Sequence, residues 1–418
     1  MSIPRRSASS SVPLICLAAC LGLAAAIVML SSARSADEGA APKVASAAAP
    51  ASAAAQAGAV APTGEYKVLK TFKTGLDGRF DFLSVDSESR RVFVSLGTRA
   101  VVFNADTGEK VGEVPDTPGI HGVAVAPEAG RGFTSNGSNK TVTVFDLKTY
   151  KALLTVPTSQ DPDFIFYDAA SQRVVACCNK GNALTVFPPT TQGDAKDIVT
   201  VELGGAPELA VSDGQGMIYV NLEDKSEVVR VDTKDWKVTA RWPLAPGETP
   251  SGLAIDAKNG RLFSSCHNNM MVLLDAKTGK VLSTAPIGSG TDGALFDPKA
   301  GLAFSSNREG TITALRVEAP DKLVVAQTIQ TAEGAKTSAL DEKTGCIYLP
   351  TAKFGPPAPA PAQGEAKGEA KAEAKGEAKA EAKGETKAKD EAKGGAKGKG
   401  KGRPSIVPGS FMILVVGK

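Results

Sequence analysis

Residues 121–161, HGVAVAPEAGRGFTSNGSNKTVTVFDLKTYKALLTVPTSQD, hold four short runs in which apolar and polar positions alternate: GVAVA, GFTSN, TVTVFD and ALLTVP. Pro/Gly, Asn/Gly/Ser and Lys-Thr pairs separate them, a pattern that predicts four consecutive antiparallel strands. The same pattern occurs seven times, with first strands starting near Asp81, His121, Asp163, Glu208, Ser251, Asp292 and Lys336. A period of roughly 40–45 residues built from four strands predicts propeller blades. Most copies place an acid after the first strand (Asp86, Asp168, Asp213, Asp256, Asp297 and Asp341), then Gly, Ser or Ala. Such a pairing belongs to a tight hairpin turn.

The seventh copy is incomplete. Its first two runs cover residues 337–340 and 346–350, and its third, SFMILVV at residues 410–416, comes only after a long interruption. No fourth run follows, yet a lone run, YKVLKTFKT at residues 66–74, precedes the first blade. Pairing the two closes the ring and removes exposed sheet edges. The predicted fold is all-β: a monomeric seven-bladed β-propeller over residues 66–354, whose last blade is completed by residues 405–418 and closed by the N-terminal strand.

The flanks read differently. Residues 1–35 carry Arg5 and Arg6, an apolar stretch at 12–30 and then small residues, as an export signal cleaved after Ala33 or Ser35 would. The same stretch is just long enough to be kept as a membrane anchor. A lipoprotein reading of Leu17–Ala18–Ala19–Cys20 is opposed by the apolar run continuing beyond Cys20. Residues 36–65 form an Ala/Pro-rich linker. Residues 355–404 are Pro/Ala-rich, then a Lys/Glu/Ala/Gly repeat of period four that would stack Glu365, Glu369 and Glu373 on one helix face. Like charges at that spacing oppose a helix, so this insertion is expected to be a disordered polyampholyte.

Residues 364–404 contain twelve Lys/Arg and eight Asp/Glu, which leaves 36 basic and 37 acidic residues elsewhere. The net charge of +3 therefore comes from the insertion. A protein with a basic nucleic-acid groove shows the opposite balance in its body. Beyond the leader only Cys177, Cys178, Cys266 and Cys346 remain, on second strands of different repeats, and they read as small buried hydrophobes rather than disulfides.

The runs Gly132-Phe133-Thr134-Ser135-Asn136, Val142-Thr143-Val144-Phe145-Asp146, and residues 272–281, VLLDAKTGKV, resemble the YVTN-repeat family of bacterial extracytoplasmic β-propellers, particularly its YncE-like branch. The resemblance covers residues 66–354 and 405–418. It implies seven blades, a periplasmic or cell-envelope location, and roles in protein interaction, at the surface or with nucleic acid. It carries no active-site motif.

Chemistry is expected on the face where the connections from strand four to strand one, and from strand two to strand three, emerge. The residue five positions before each turn acid is Asp81, His121, Asp163, Glu208, Ser251, Asp292 and Lys336, all polar or charged. These residues are expected to ring the channel mouth as a ligand site. A solvated rim accounts for them too; as a site, converging carboxylates suit a divalent cation or an amine, with Asp81, His121 and Asp163 as contiguous metal ligands. His267 falls on the same face as a loop residue. The chain has two histidines and lacks Cys-x-x-Cys-His, Gly-x-Ser-x-Gly and P-loop motifs, which argues against c-type haem, serine-hydrolase and nucleotide-hydrolysing chemistry. The expected function is an exported scaffold in the cell envelope that binds a protein or a small cationic ligand at an acidic mouth, touching membrane only through its N-terminal segment. The alternatives are a metal-dependent, lactonase-like hydrolase using mouth carboxylates and single-stranded nucleic-acid binding, the latter disfavoured by the acidic mouth and scarce aromatics.

Overall fold

A computed structural model describes residues 64–357 and 404–418; the leader, the linker to residue 63 and the low-complexity insertion lie outside the described residues. Seven four-stranded antiparallel sheets follow one another. Blade 1 comprises Phe80–Asp86, Arg91–Leu96, Arg99–Asn104 and Lys110–Val114, adjacent in space as in sequence. Blades 2 to 6 open with Ile120–Ala126, Pro162–Asp168, Pro207–Ser212, Pro250–Asp256 and Thr291–Asp297. Blade 7 combines Ala339–Asp341, Cys346–Thr351 and Met412–Gly417 with Lys67–Lys73 from the start of the domain. The N-terminal strand runs antiparallel to Met412–Gly417, from Lys67 opposite Gly417 to Lys73 opposite Met412. First strands of successive blades touch, and those of blades 7 and 1 also meet, so the ring is closed.

The burial pattern follows strand position. Inner strands such as Arg91–Leu96 are buried along nearly their whole length, whereas outer strands such as Lys237–Pro243 alternate exposed and half-buried residues. Because side chains alternate across a sheet, each inner strand feeds the cores on both its sides. Phe93 of blade 1 meets Phe145 of blade 2 (ring centroids 6.2 Å apart), and Phe133 of blade 2 meets Phe187 of blade 3 (6.0 Å). Cys177 and Cys266 lie within such cores, and Cys177, Cys178, Cys266 and Cys346 are all free thiols; Cys346 alone is partly exposed.

The turn acids accept backbone N–H groups within their own hairpins: Asp213 from Gln215 (2.7 Å), Asp297 from Lys299 (2.8 Å) and Asp341 from Lys343 (3.1 Å). Some also lock neighbouring blades. Arg90 Nη1 donates to the fully buried Asp341 across the seam between blades 1 and 7 (2.6 Å), and Ser212 donates to Asp168 between blades 4 and 3 (2.8 Å). At the same seam the buried Tyr348 hydroxyl donates to the Ala105 carbonyl at 2.8 Å. Tyr348→Phe leaves that carbonyl unpaired and is expected to cost about 1–2 kcal/mol, read as a lower urea midpoint with unchanged slope.

One feature departs from the sequence pattern. The second strand of blade 7 leads into a two-stranded ribbon, Phe354–Pro357 with Pro404–Ile406, which carries both ends of the insertion. Prolines on both its strands hide it from strand propensity.

Candidate functional site

In blades 1 to 6 the register between the first two strands slips at the strand entrance, for example between Phe80 and Leu83, Ile120 and Val123, and Pro162 and Ile165. A β-bulge of this kind bends the strand and re-aims a side chain. Asp81, His121, Asp163, Glu208, Ser251 and Asp292 all lie within these slipped steps. Small polar residues hold the bulges. Asp81 N–H donates to Ser95 Oγ (3.1 Å), which donates to the Phe82 carbonyl (2.9 Å). The Ser135 hydroxyl donates to the Asp163 carbonyl of the next blade, Ser306 to that of Lys336 (2.6 Å), and Thr337 to that of Asp81 (2.8 Å). The mouth positions are thus fixed both within and between blades.

The side chains form a continuous chain over most of the rim. Ser251 Oγ donates to Asp292 Oδ1 (2.7 Å), and the Lys336 ammonium is clamped on Asp292 Oδ2 with Asp81 Oδ1 at 3.6 Å. His121 Nδ1 lies 2.9 Å from Asp81 Oδ2 and 3.3 Å from Asp163 Oδ1. Glu208 stands apart, receiving a hydrogen bond from Asn179 Nδ2 (2.8 Å), with the Glu223 carboxyl as a second neighbour. His267 is outside this chain, exposed and bonded through Nε2 to the Thr291 carbonyl (3.0 Å).

Beneath the rim lies an apolar floor. Phe82 of blade 1 and Phe164 of blade 3 meet edge-to-face with centroids 5.4 Å apart, although their blades are not neighbours, so they meet across the axis. Leu209 of blade 4 packs into the same cluster. The mouth is therefore a cup on a hydrophobic base, and its ionisable groups are poorly solvated.

The charges do not balance evenly around the cup. Burial works against ionisation of Asp81, but the His121 hydrogen bond and the Lys336 charge outweigh it and hold the carboxyl below its usual range. Burial likewise opposes the His121 imidazolium, yet Asp81 and Asp163 raise its pKa to about 8. Lys336 is held above its ordinary value against burial by Asp292 and Asp81. Blades 3 and 4 have less compensation. Burial lifts Asp163 to about 7, with His121 only partly offsetting it and Asp81 adding repulsion. Burial, then Asp163 and Glu223, push Glu208 to about 10. Asp163 Oδ1 is also shut from solvent without a hydrogen-bond donor. The single hydrogen on His121 Nδ1 serves the shorter contact to Asp81.

The structure brings all seven sequence-derived positions to one rim, and Asp81, His121 and Asp163 into direct contact. One ligand atom from each of these three lies within 4.8 Å of the others, the one such group among the described residues. Oxygen, nitrogen and oxygen donors at that spacing fit a divalent ion, which would also give the orphaned Asp163 oxygen a partner. Residues missed from sequence include Asn179, Glu223 and the floor. The floor did leave a trace: the positions immediately after the mouth residues read Phe82, Gly122, Phe164, Leu209, Gly252, Gly293 and Thr337, large beside small as a filled narrow core requires.

No protein-family model matches the chain, and no curated protein matches it. Solved structures do match, in 1814 chains, a number that places the fold among widely used ones and selects no activity. A chain of "Crystal Structure of Mitotic Checkpoint Complex" is 13% identical with a TM-score of 0.58, covering 68% of this chain and 90% of that one. The chain of "Structure of U3-55K" is 10% identical with a TM-score of 0.57, again covering 68% and 90%. Identities this low speak for architecture alone: the chain is a seven-bladed β-propeller.

Proposed function

We propose that the protein is a binding scaffold of the bacterial periplasm or cell envelope, exported by its N-terminal segment, that takes a cationic group into the cup on the side of Asp163 and Glu208. The observation that carries this is the under-compensated pair on blades 3 and 4. Two half-buried acids raised to about 7 and about 10, one with an orphaned oxygen, sit in a rim whose other acids are already matched by Lys336 and His121. A poorly solvated acid pair with too little counter-charge is a site that a cation stabilises. The YVTN-like repeat runs favour the envelope location, and a chain of the mitotic checkpoint complex, an assembly, is a structural neighbour, in keeping with a scaffold.

The cation can be a protein or small-molecule ammonium, or a divalent ion on Asp81, His121 and Asp163; the latter arrangement is what a lactonase-like hydrolase would need. Nucleic acid gains no support at the cup, where its phosphates would meet four carboxyl groups. Equilibrium dialysis of chelator-free protein separates these cases, using Ca2+, Mn2+, Zn2+ and 1,5-diaminopentane in turn. One equivalent of a cation should bind to wild type and at least about tenfold more weakly to Asp163→Asn. Retention of a metal but not the diamine selects the hydrolase-like reading. Binding unchanged in Asp163→Asn, or no binding of any of the four, rejects the cup as a cation site.

A further inference from the structure

We propose that the recess between blades 2 and 3, on the outer flank of the cup, binds a small oxyanion, a carboxylate or a phosphate, gripped by His121 Nε2, Lys140 and Lys180. The recess has a volume of about 320 Å3 and is lined by these three residues with Gly137, Ser138, Gln160 and Asp161. That volume is room for a small molecule. Its walls carry hydroxyl, amide and charged groups, which suits a polar ligand.

The orientation of His121 is set from behind. Nδ1 is turned to Asp81 and Asp163, so the opposite edge of the ring, Nε2, faces the recess. Gly137 keeps that edge open: a Cβ there would stand 2.9 Å from His121 Nε2 and 2.6 Å from Asp161 Oδ1. Gly137 is not among the glycines of positive φ, so its backbone would accept any residue and space is the reason for a glycine.

Charge then selects the ligand. Asp161, the one acid in the lining, is matched by Lys180 Nζ at 2.6 Å. Lys140 has no acid within ion-pair distance among the described residues. Two ammonium groups and the Nε2 edge of the imidazole face a single carboxylate, giving a cationic recess directly beside an acidic cup, with the His121 ring as the partition. Nε2 carries a proton both in the imidazolium and in the tautomer left when a cation occupies Nδ1. The two lysines and the Nε2 edge border the recess whether or not the cup is filled, and the proposal stands apart from the cation reading. Charge-assisted hydrogen bonds from a fixed ring and two lysines are the usual means of holding a carboxylate or phosphate.

The test uses the full chain labelled with 15N-histidine, whose two imidazoles, His121 and His267, are distinguished by a His267→Gln variant. Sodium acetate and inorganic phosphate are titrated separately at pH 7 and constant ionic strength set by chloride. The Nε2 resonance of His121 should shift saturably with at least one of them while that of His267 stays still; acetate alone, phosphate alone or both identifies the oxyanion. In Lys140→Met/Lys180→Met the apparent affinity should fall at least about tenfold. Both lysines are exposed, and thermal stability should be unchanged. Gly137→Ala should abolish the shift with both lysines in place. No saturable shift with either anion, or a shift that survives both variants, overturns the proposal.

Discussion

A chain lacking residues 64–73 is expected to fail to fold. Six residue pairs join Lys67–Lys73 to Met412–Gly417, and nothing else covers that edge of blade 7. Tyr66 is 6% exposed, packs edge-to-face on Phe304 at 5.1 Å, and binds both ends of the Gln327 side-chain amide through its backbone (3.0 and 2.8 Å). Val68 joins the core between blades 6 and 7, and Phe72 that between blades 7 and 1. At about 1.5–3 kcal/mol for a fully buried side chain, buried Tyr66 with half-buried Val68 and Phe72 contributes roughly 3–6 kcal/mol, before counting the ladder hydrogen bonds. Whole domains are stable by about 5–15 kcal/mol, so the loss, ladder included, consumes much or all of it. The exposed edge would also recruit other chains. Soluble yield and urea denaturation read the outcome, and a synthetic peptide of residues 64–73 should restore both in trans. A truncated chain with the wild-type urea midpoint would show that closure is dispensable.

Glu208→Gln is expected to remove much of the protein's loss of stability at alkaline pH. Glu208 rises from 4.5 to about 10 on folding and Asp163 from 3.8 to about 7. Between those limits the native state keeps a proton that the unfolded chain has released, so stability falls as pH rises, through about pH 7 for Asp163 and about pH 10 for Glu208. His121, raised from 6.5 to about 8, acts in the same direction: its contribution is complete below pH 6.5 and lost as pH climbs through 8. Asp81, Asp106 and Asp341 are lowered from 3.8, so their contribution is present above that pH and lost in stronger acid. Maximum stability should lie on the acid side of neutrality. Glu208→Gln should raise stability at pH 9 by about 1–2 kcal/mol, or roughly 2–8 °C in Tm, with little effect at pH 5. Thermal unfolding at the two pH values checks this; an undiminished alkaline decline in Glu208→Gln would place the buried charge elsewhere.

The blades, the closing strand and the rim positions were legible because each is written in local spacing. Strand alternation has a period of two, each turn acid caps its own hairpin, and the bulge falls at a fixed distance before it, so counting back from Asp86 or Asp297 lands on Asp81 or Asp292. The charge state of the cup was not legible. Four carboxyl groups suggested an acidic mouth, yet Lys336 reaches both Asp292 and Asp81, and His121 serves Asp81 and Asp163. Those contacts depend on side-chain reach between blades far apart in sequence. The Phe82–Phe164 floor depends on which blades face each other across the axis, and the pairing of Glu208 with Glu223 on the short 3-10 turn Glu223–Lys225 after the second strand of blade 4. His121 stood out in the sequence by its place in the repeat, contiguous with Asp81 and Asp163; the recess at its Nε2 edge depends on Gly137, Lys140 and Lys180.

Carboxyl 13C NMR of Asp163 and Glu208, titrated between pH 4 and 10 with and without a saturating cation from the dialysis panel, bears most directly on the cup. The account predicts a cation-free midpoint near 7 for Asp163 and a Glu208 still protonated at pH 8, with Asp163 returning toward the ordinary carboxylate range once the cation is bound. Midpoints near 4 for both acids without any cation would contradict it.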